Sequence, residues 1–101
     1  MEMRAEHHPD KSIIFVDKNK LIGVESETFQ KLVQDSIDKG SRTISIDLSK
    51  VDYVASWGVG LLVHAYTTCH NKNIRFEING VNDKVMNVLS QLKLTEIFNI
   101  N

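Results

Sequence analysis

The sequence predicts one α/β domain over residues 1–101: a mixed sheet of about four to five strands covered by three helices, in the order β-β-α-β-α-β-α-β. Two observations predict it. Short β-branched runs that alternate with period two take turns with segments whose apolar residues recur every three to four positions. Strands that alternate with amphipathic helices pair in a partly parallel sheet under those helices, joined by right-handed crossovers. The length, 101 residues, suffices for one hydrophobic core and not for two.

The elements follow in chain order. Residues 3–8 are either mobile or an edge strand, ended by the turn pair Pro9-Asp10. Ser12-Ile13-Ile14-Phe15-Val16 is a β-rich run closed by Asp17-Lys18-Asn19-Lys20. Phe29, Leu32, Val33, Ser36 and Ile37 recur at helical spacing, with Glu25, Ser26 and Glu27 at the start and Gly40 as the stop. Thr43 to Leu48 alternates with period two and reads as a central strand. Ser49 to Ala55 is a connection, and a second helix runs from about Trp57 to Asn71, burying Val59, Leu62, Val63, Tyr66 and Cys69, with Ala65 adding to that face. Ile74 to Ile78 is a further strand ended by Asn79-Gly80. Asn82 or Asp83 caps a third helix with Val85, Met86, Val88, Leu89 and Leu92 inward. Ile97 to Ile100 is a short final strand or tail. Ile13, Phe15, Phe29, Leu32, Val33, Ile44, Ile46, Leu48, Leu62, Tyr66, Phe76, Ile78, Val85 and Leu89 are the expected core.

Composition narrows the function. Apolar residues are 42% and charged residues 25%, the ordinary globular range. Twelve basic against 13 acidic residues give a formal charge of -1. A near-neutral chain with scattered basic residues has no electrostatic reason to seek nucleic acid or anionic membranes. Cys69 is the only cysteine, which excludes an internal disulfide and fits a reducing compartment. Met1 to Pro9 has no apolar core of a secretory signal, and the apolar run Val59 to Val63 is far too short to span a bilayer. A soluble cytoplasmic protein is expected.

The most informative junction is Ile46 to Leu62, a strand, a loop and then Ser56 at the mouth of a helix. A serine there has two readings. Its hydroxyl caps the free N–H groups of the first turn, or it carries a phosphate, which a helix N-terminus favours by about 0.3–1 kcal/mol. Gly58 and Gly60 are poor helix formers, so close approach of another backbone, or of a partner, must account for them.

The run DLSKVDYVASWGVGLLVHAY resembles the signature of STAS-domain anti-sigma factor antagonists (anti-anti-sigma factors), D-L-S-x-V-x, two apolar residues, D-S, a small residue, G, an apolar residue, G and two more apolar residues. The resemblance covers nearly the whole chain. KLIGVESETFQKLVQDSIDKG stands where the family has its first helix, and VNDKVMNVLSQLKLTEIFNI matches its third helix and the following segment. Many members continue past the position of Asn101 into a further helix.

The resemblance implies a STAS-like fold and a non-enzymatic bacterial partner switch in transcription regulation. In the family, an anti-sigma factor that is also a serine kinase phosphorylates the serine, a PP2C-type phosphatase removes the phosphate, and the unphosphorylated form binds the anti-sigma factor. By position that serine is Ser56. The interface is expected to comprise Ala55, Ser56, Trp57, Gly58, Val59, Gly60, Leu61 and His64. Three positions depart from the pattern: Ala55 replaces the aspartate before the serine, Ile22 replaces a second acid before the first helix, and Trp57 replaces a small residue. The departures leave open a domain that binds without being switched.

Other residues are weighed against chemistry. Trp57 shares a mostly polar helix stripe with His64 and is either an interface anchor or local packing against Asp52 to Val54. His64, Cys69 and His70 lack the spacing that sets metal ligands on one helical face, so no metal and no cofactor are expected. No phosphate loop, nucleophile elbow or zinc-protease motif is present. Asp47 and Asp52 are strand-end and loop acids. A second class of function remains, a sensor or carrier that holds an anion, nucleotide or lipid in a closed pocket at Ser56; a partner module instead requires an exposed apolar patch near Trp57.

Overall fold

A computed structural model describes residues 2–100. The elements are β1 (Met3–His7), β2 (Lys11–Val16), β3 (Lys20–Leu21), α1 (Ser26–Asp38), β4 (Thr43–Leu48), β5 (Tyr53–Val54), α2 (Ser56–Asn71), β6 (Arg75–Val81) and α3 (Asp83–Gln91). The main sheet has the order β1-β2-β4-β6. β2, β4 and β6 run parallel, and β1 is antiparallel to β2. Residues 3–8 thus contain the edge strand that the sequence left open. α1 and α2 are the crossovers between the parallel strands.

Register decides which side chains meet. Ile14, Ile46 and Ile78 lie side by side across the sheet, as do Ser12, Ile44 and Phe76. These isoleucines are fully buried, and they form one core with Phe29 and Val33 of α1, Leu62, Ala65 and Cys69 of α2, and Val85 and Leu89 of α3. Ile13 and Phe15 point to the opposite face and are only half-buried, contrary to the expectation that they belong to the core. The period of two was right, but the apolar run fills both faces and its phase cannot be read from composition. Ser12 lies inward instead, where its hydroxyl pairs with Ser41 Oγ at 2.6 Å. Leu32 and Tyr66 are also half-buried. The other ten expected core residues are buried.

The structure corrects one further expectation and refines two. The buried face of α2 is Gly58, Leu61, Leu62, Ala65 and Cys69, while Val63 is exposed. The helix is apolar nearly all round in its first half, so the stripe alone does not fix its rotation. The connection Ser49–Ala55 contains β5, which pairs in parallel with β3 as a second, two-stranded sheet. Residues 97–100 form turns with a single parallel bridge from Ile100 to Ile78, not a strand. Phe98 in that segment is fully buried among Tyr66 and Phe76.

Candidate functional site at the mouth of the second helix

The site is assembled by the small sheet. Leu21 of β3 pairs with Val54 of β5, and the Leu21 carbonyl accepts the Ala55 N–H at 3.0 Å. Upstream, the Asn19 carbonyl accepts the N–H groups of Asp52 and Tyr53 at 2.9 and 3.2 Å. The chain therefore enters α2 at a fixed angle. A Cβ on Gly58 would land on the Leu21 carbonyl oxygen, so the bare glycine is what lets α2 start against β3. Gly60 is different: nothing lies within 4 Å of where its Cβ would be. Close backbone approach accounts for the first glycine and not for the second.

Ala55, in extended conformation, occupies the cap of α2, and its carbonyl accepts the Val59 N–H at 3.0 Å. Ser56 is the first helical residue and is exposed. The capping reading of Ser56 is thereby corrected: the serine stands one position too far along, and the helix has no side-chain cap. The first-turn N–H groups consequently face solvent or a ligand.

Trp57 is 76% exposed. Its side chain starts against Gly23, which has φ +107°, and a Cβ at Gly23 would overlap the Trp57 Cβ. The ring thus projects from a backbone seat rather than folding inward. Val24, next to that seat, is 73% exposed. The seat is held by a carboxylate. Glu25 Oε1 accepts the N–H groups of Gly23 at 2.9 Å and Ile22 at 3.1 Å, and Oε2 takes Lys18 Nζ at 2.5 Å. Burial opposes ionisation of Glu25, but Lys18 and the two amides outweigh it and hold its pKa below the usual range. The sequence suggested that Glu25 serves the start of α1; it turns back and latches the preceding loop instead.

Gly23, Ser26, Gln30, Ser56, Trp57, Gly60, Leu61 and His64 line an open depression of about 410 Å³ between the starts of α1 and α2. Gln30 and His64 also line a second groove, of about 280 Å³, that continues between the two helices with Gln34, Ala65 and Thr68. Of the eight residues expected at an interface, Ser56, Trp57, Gly60 and His64 are exposed. Ala55 and Val59 are half-buried, and Gly58 and Leu61 are buried, Leu61 at the floor of the depression. No carboxylate lines it, as Ile22 and Ala55 foreshadow.

The remaining candidates lie elsewhere. Burial pushes the Cys69 thiol up to about 11, so it is a thiol and not a nucleophile near neutral pH. His70 stacks on Tyr66 with ring centroids 5.6 Å apart. Among the described residues no three His, Cys, Asp or Glu side chains are grouped to hold a metal ion, and no helix is long and apolar enough to cross a membrane.

Known proteins share this fold. A protein from Thermotoga maritima described as an anti-sigma factor antagonist is 27% identical over 97% of this chain and 84% of its own, with a TM-score of 0.84. The Bacillus anti-sigma factor antagonist SpoIIAA, in its unphosphorylated form, is 16% identical over 98% and 87%, with a TM-score of 0.80. A sulfate transporter family protein from Wolinella succinogenes is 13% identical over 92% and 75%, with a TM-score of 0.78. The latter two likenesses speak to the fold alone. No curated protein matches the chain significantly in sequence. The STAS domain family model matches residues 2–101, nearly the whole chain, and the chain belongs to the STAS domain family.

Proposed function

We propose that this domain is a protein-binding regulatory module of the anti-sigma factor antagonist kind. It docks an anti-sigma factor with serine kinase activity at the mouth of α2 and is switched by phosphorylation of Ser56, with a PP2C-type phosphatase resetting it. The observation that carries the reading is the pairing of an exposed Ser56 with a 76% exposed Trp57, whose Cβ sits against Gly23, on the rim of an open depression. A large aromatic held out from the surface offers a partner a large apolar area to bury, which suits an interface anchor. Phosphate on Ser56 adds roughly −1.5 to −2 charges. Within the free domain the α2 N-terminus and the lack of lining carboxylates accommodate that charge. Against an apolar partner surface nothing does. The closed pocket that a small-ligand sensor calls for has no counterpart at Ser56.

Ala55 and Ile22 favour a second reading, a scaffold that binds without being switched. Calorimetry with a kinase-type anti-sigma factor from the source cell separates the two. Ser56→Asp should weaken binding at least tenfold relative to wild type and Ser56→Ala, and Trp57→Ala should cost about 1–2 kcal/mol of affinity with an unchanged melting temperature. Equal affinity for the three Ser56 forms, with no phosphate on Ser56 in the host, would leave a scaffold. Full affinity with Trp57→Ala would move the interface elsewhere.

A further inference from the structure

The main sheet ends at β1, and the free side of that strand is self-complementary. Asp17 N–H donates to the Glu2 carbonyl at 2.7 Å, and His8 N–H donates to the Lys11 carbonyl at 2.7 Å. With Met3 opposite Val16, the even-numbered residues Glu2, Arg4, Glu6 and His8 turn their peptide groups toward β2. Met3, Ala5 and His7 therefore turn their N–H and C=O groups outward, where no strand receives them. Several of the devices that usually blunt such an edge are missing, although β1 does carry the charges of Arg4 and Glu6. β1 is five residues long, it contains no proline or lysine, and its pairing with β2 is unbroken by a bulge.

We infer that β1 is a homodimerisation edge: two copies pair antiparallel about a two-fold axis at Ala5 and form a continuous eight-stranded sheet. In that register Met3 faces His7 of the second copy and Ala5 faces Ala5, so three outward-facing residue pairs exchange about two hydrogen bonds each. The closely spaced pairs between them are Arg4 with Glu6 and Glu6 with Arg4 of the second copy. Arg4 already lies 3.4 Å from Glu6 of its own strand, so the contact is a ring of alternating charges. Glu2 and His8 oppose each other in the same way. Neighbouring registers that keep the hydrogen bonds are centred on Arg4 or Glu6 and set like charges face to face. Charge thus selects one register, and the two-fold symmetry repeats the attraction.

The test is sedimentation of the intact chain up to about 1 mM, since a two-strand contact belongs with small interfaces. Wild type should approach twice its monomer mass of 11.5 kDa. Arg4→Glu and Glu6→Arg should each remain monomeric alone, because each places like charges in both close pairs. Mixed in equal amounts they should associate, since every close pair is then Glu with Arg. If Arg4→Glu fails to fold for want of its Asp17 bond, Glu6→Arg and Ala5→Pro decide; Ala5→Pro removes the central outward donor and no bond to β2, and both should abolish association. A monomeric wild type at 1 mM, variants that associate like wild type, or a folded mixture that stays monomeric overturns the proposal.

Discussion

Replacing Gly58 and Gly60 by alanine should move stability in opposite directions, although the two glycines are two residues apart in the same helix. At Gly58 the added methyl meets the Leu21 carbonyl and comes within 3.1 Å of Val54 Cγ1. The carbonyl cannot withdraw, because it accepts the Ala55 N–H and Leu21 is paired with Val54. α2 must lift instead. Overpacking of this kind costs about 1–3 kcal/mol, the strained Ala55 bond about 0.5–1.5, and better helix propensity returns about 1. The net loss is about 0.5–3.5 kcal/mol, or about 2–28 °C in melting temperature for a domain of this size. Gly60 has open space, so Gly60→Ala should gain about 0.5–1 kcal/mol from propensity alone. Because its methyl enters the depression beside Trp57, the same variant should weaken partner binding while it stabilises the fold. Thermal melts followed by circular dichroism measure both. A Gly58→Ala protein that melts at or above wild type would show that α2 does not rest on β3 as described.

Glu25→Gln should cost about 1.5–3 kcal/mol at pH 7 through its bond to Lys18, read as a shift in urea midpoint. The pKa of Glu25 is lowered by folding, so its contribution is present above the ordinary carboxylate range and is lost as pH falls through the folded value; the gap between wild type and Glu25→Gln should close in acid and stay constant from about pH 6 to 8. The same variant should loosen the seat of Trp57, the only tryptophan, and lower its fluorescence anisotropy. Phe98→Ala should cost about 3–5 kcal/mol, since Phe98 fills the space between Tyr66 and Phe76 in a segment without regular structure. Cys69, buried with its pKa pushed up to about 11, should resist iodoacetamide at pH 7.5 in the native protein and react promptly in denaturant; native labelling within minutes would contradict its place in the core.

The order of elements was legible because each helix and parallel strand carries its own period, and Gly40 after α1 and Asn82 before α3 mark helix ends. Asn82, for instance, accepts the Val85 N–H at 3.0 Å, as an N-cap should. What escaped depends on tertiary placement. The phase of β2 was ambiguous because Ile13, Ile14, Phe15 and Val16 offer apolar side chains to both faces, and only pairing with β4 selects Ile14 and Val16 for the core. β3 and β5 are two residues each, below the length at which alternation is visible. Phe98 is held by tertiary contacts that leave no periodic trace. At the site, the glycines announced a close approach, but nothing local distinguished Gly58, which needs it, from Gly60, which does not.

That difference shows how the mouth of α2 divides its work. β3, β5, Gly58 and the Glu25 latch all fix backbone, and each is buried or internally bonded. Trp57, Ser56, Gly60 and His64 stand exposed on that platform; apart from the seat of Trp57 on Gly23, their side chains make none of its hydrogen bonds. Residues that contribute little to stability are free to vary, whereas a residue whose side chain builds the platform cannot change without moving the helix. The positions where the family pattern has acids, Ala55 and Ile22, belong to the platform through their backbone only: the Ala55 N–H bonds Leu21 and the Ile22 N–H bonds Glu25. Their side chains can be acidic or apolar without disturbing those bonds. The fold therefore tolerates either choice, because neither side chain takes part in the bonds that place Ser56.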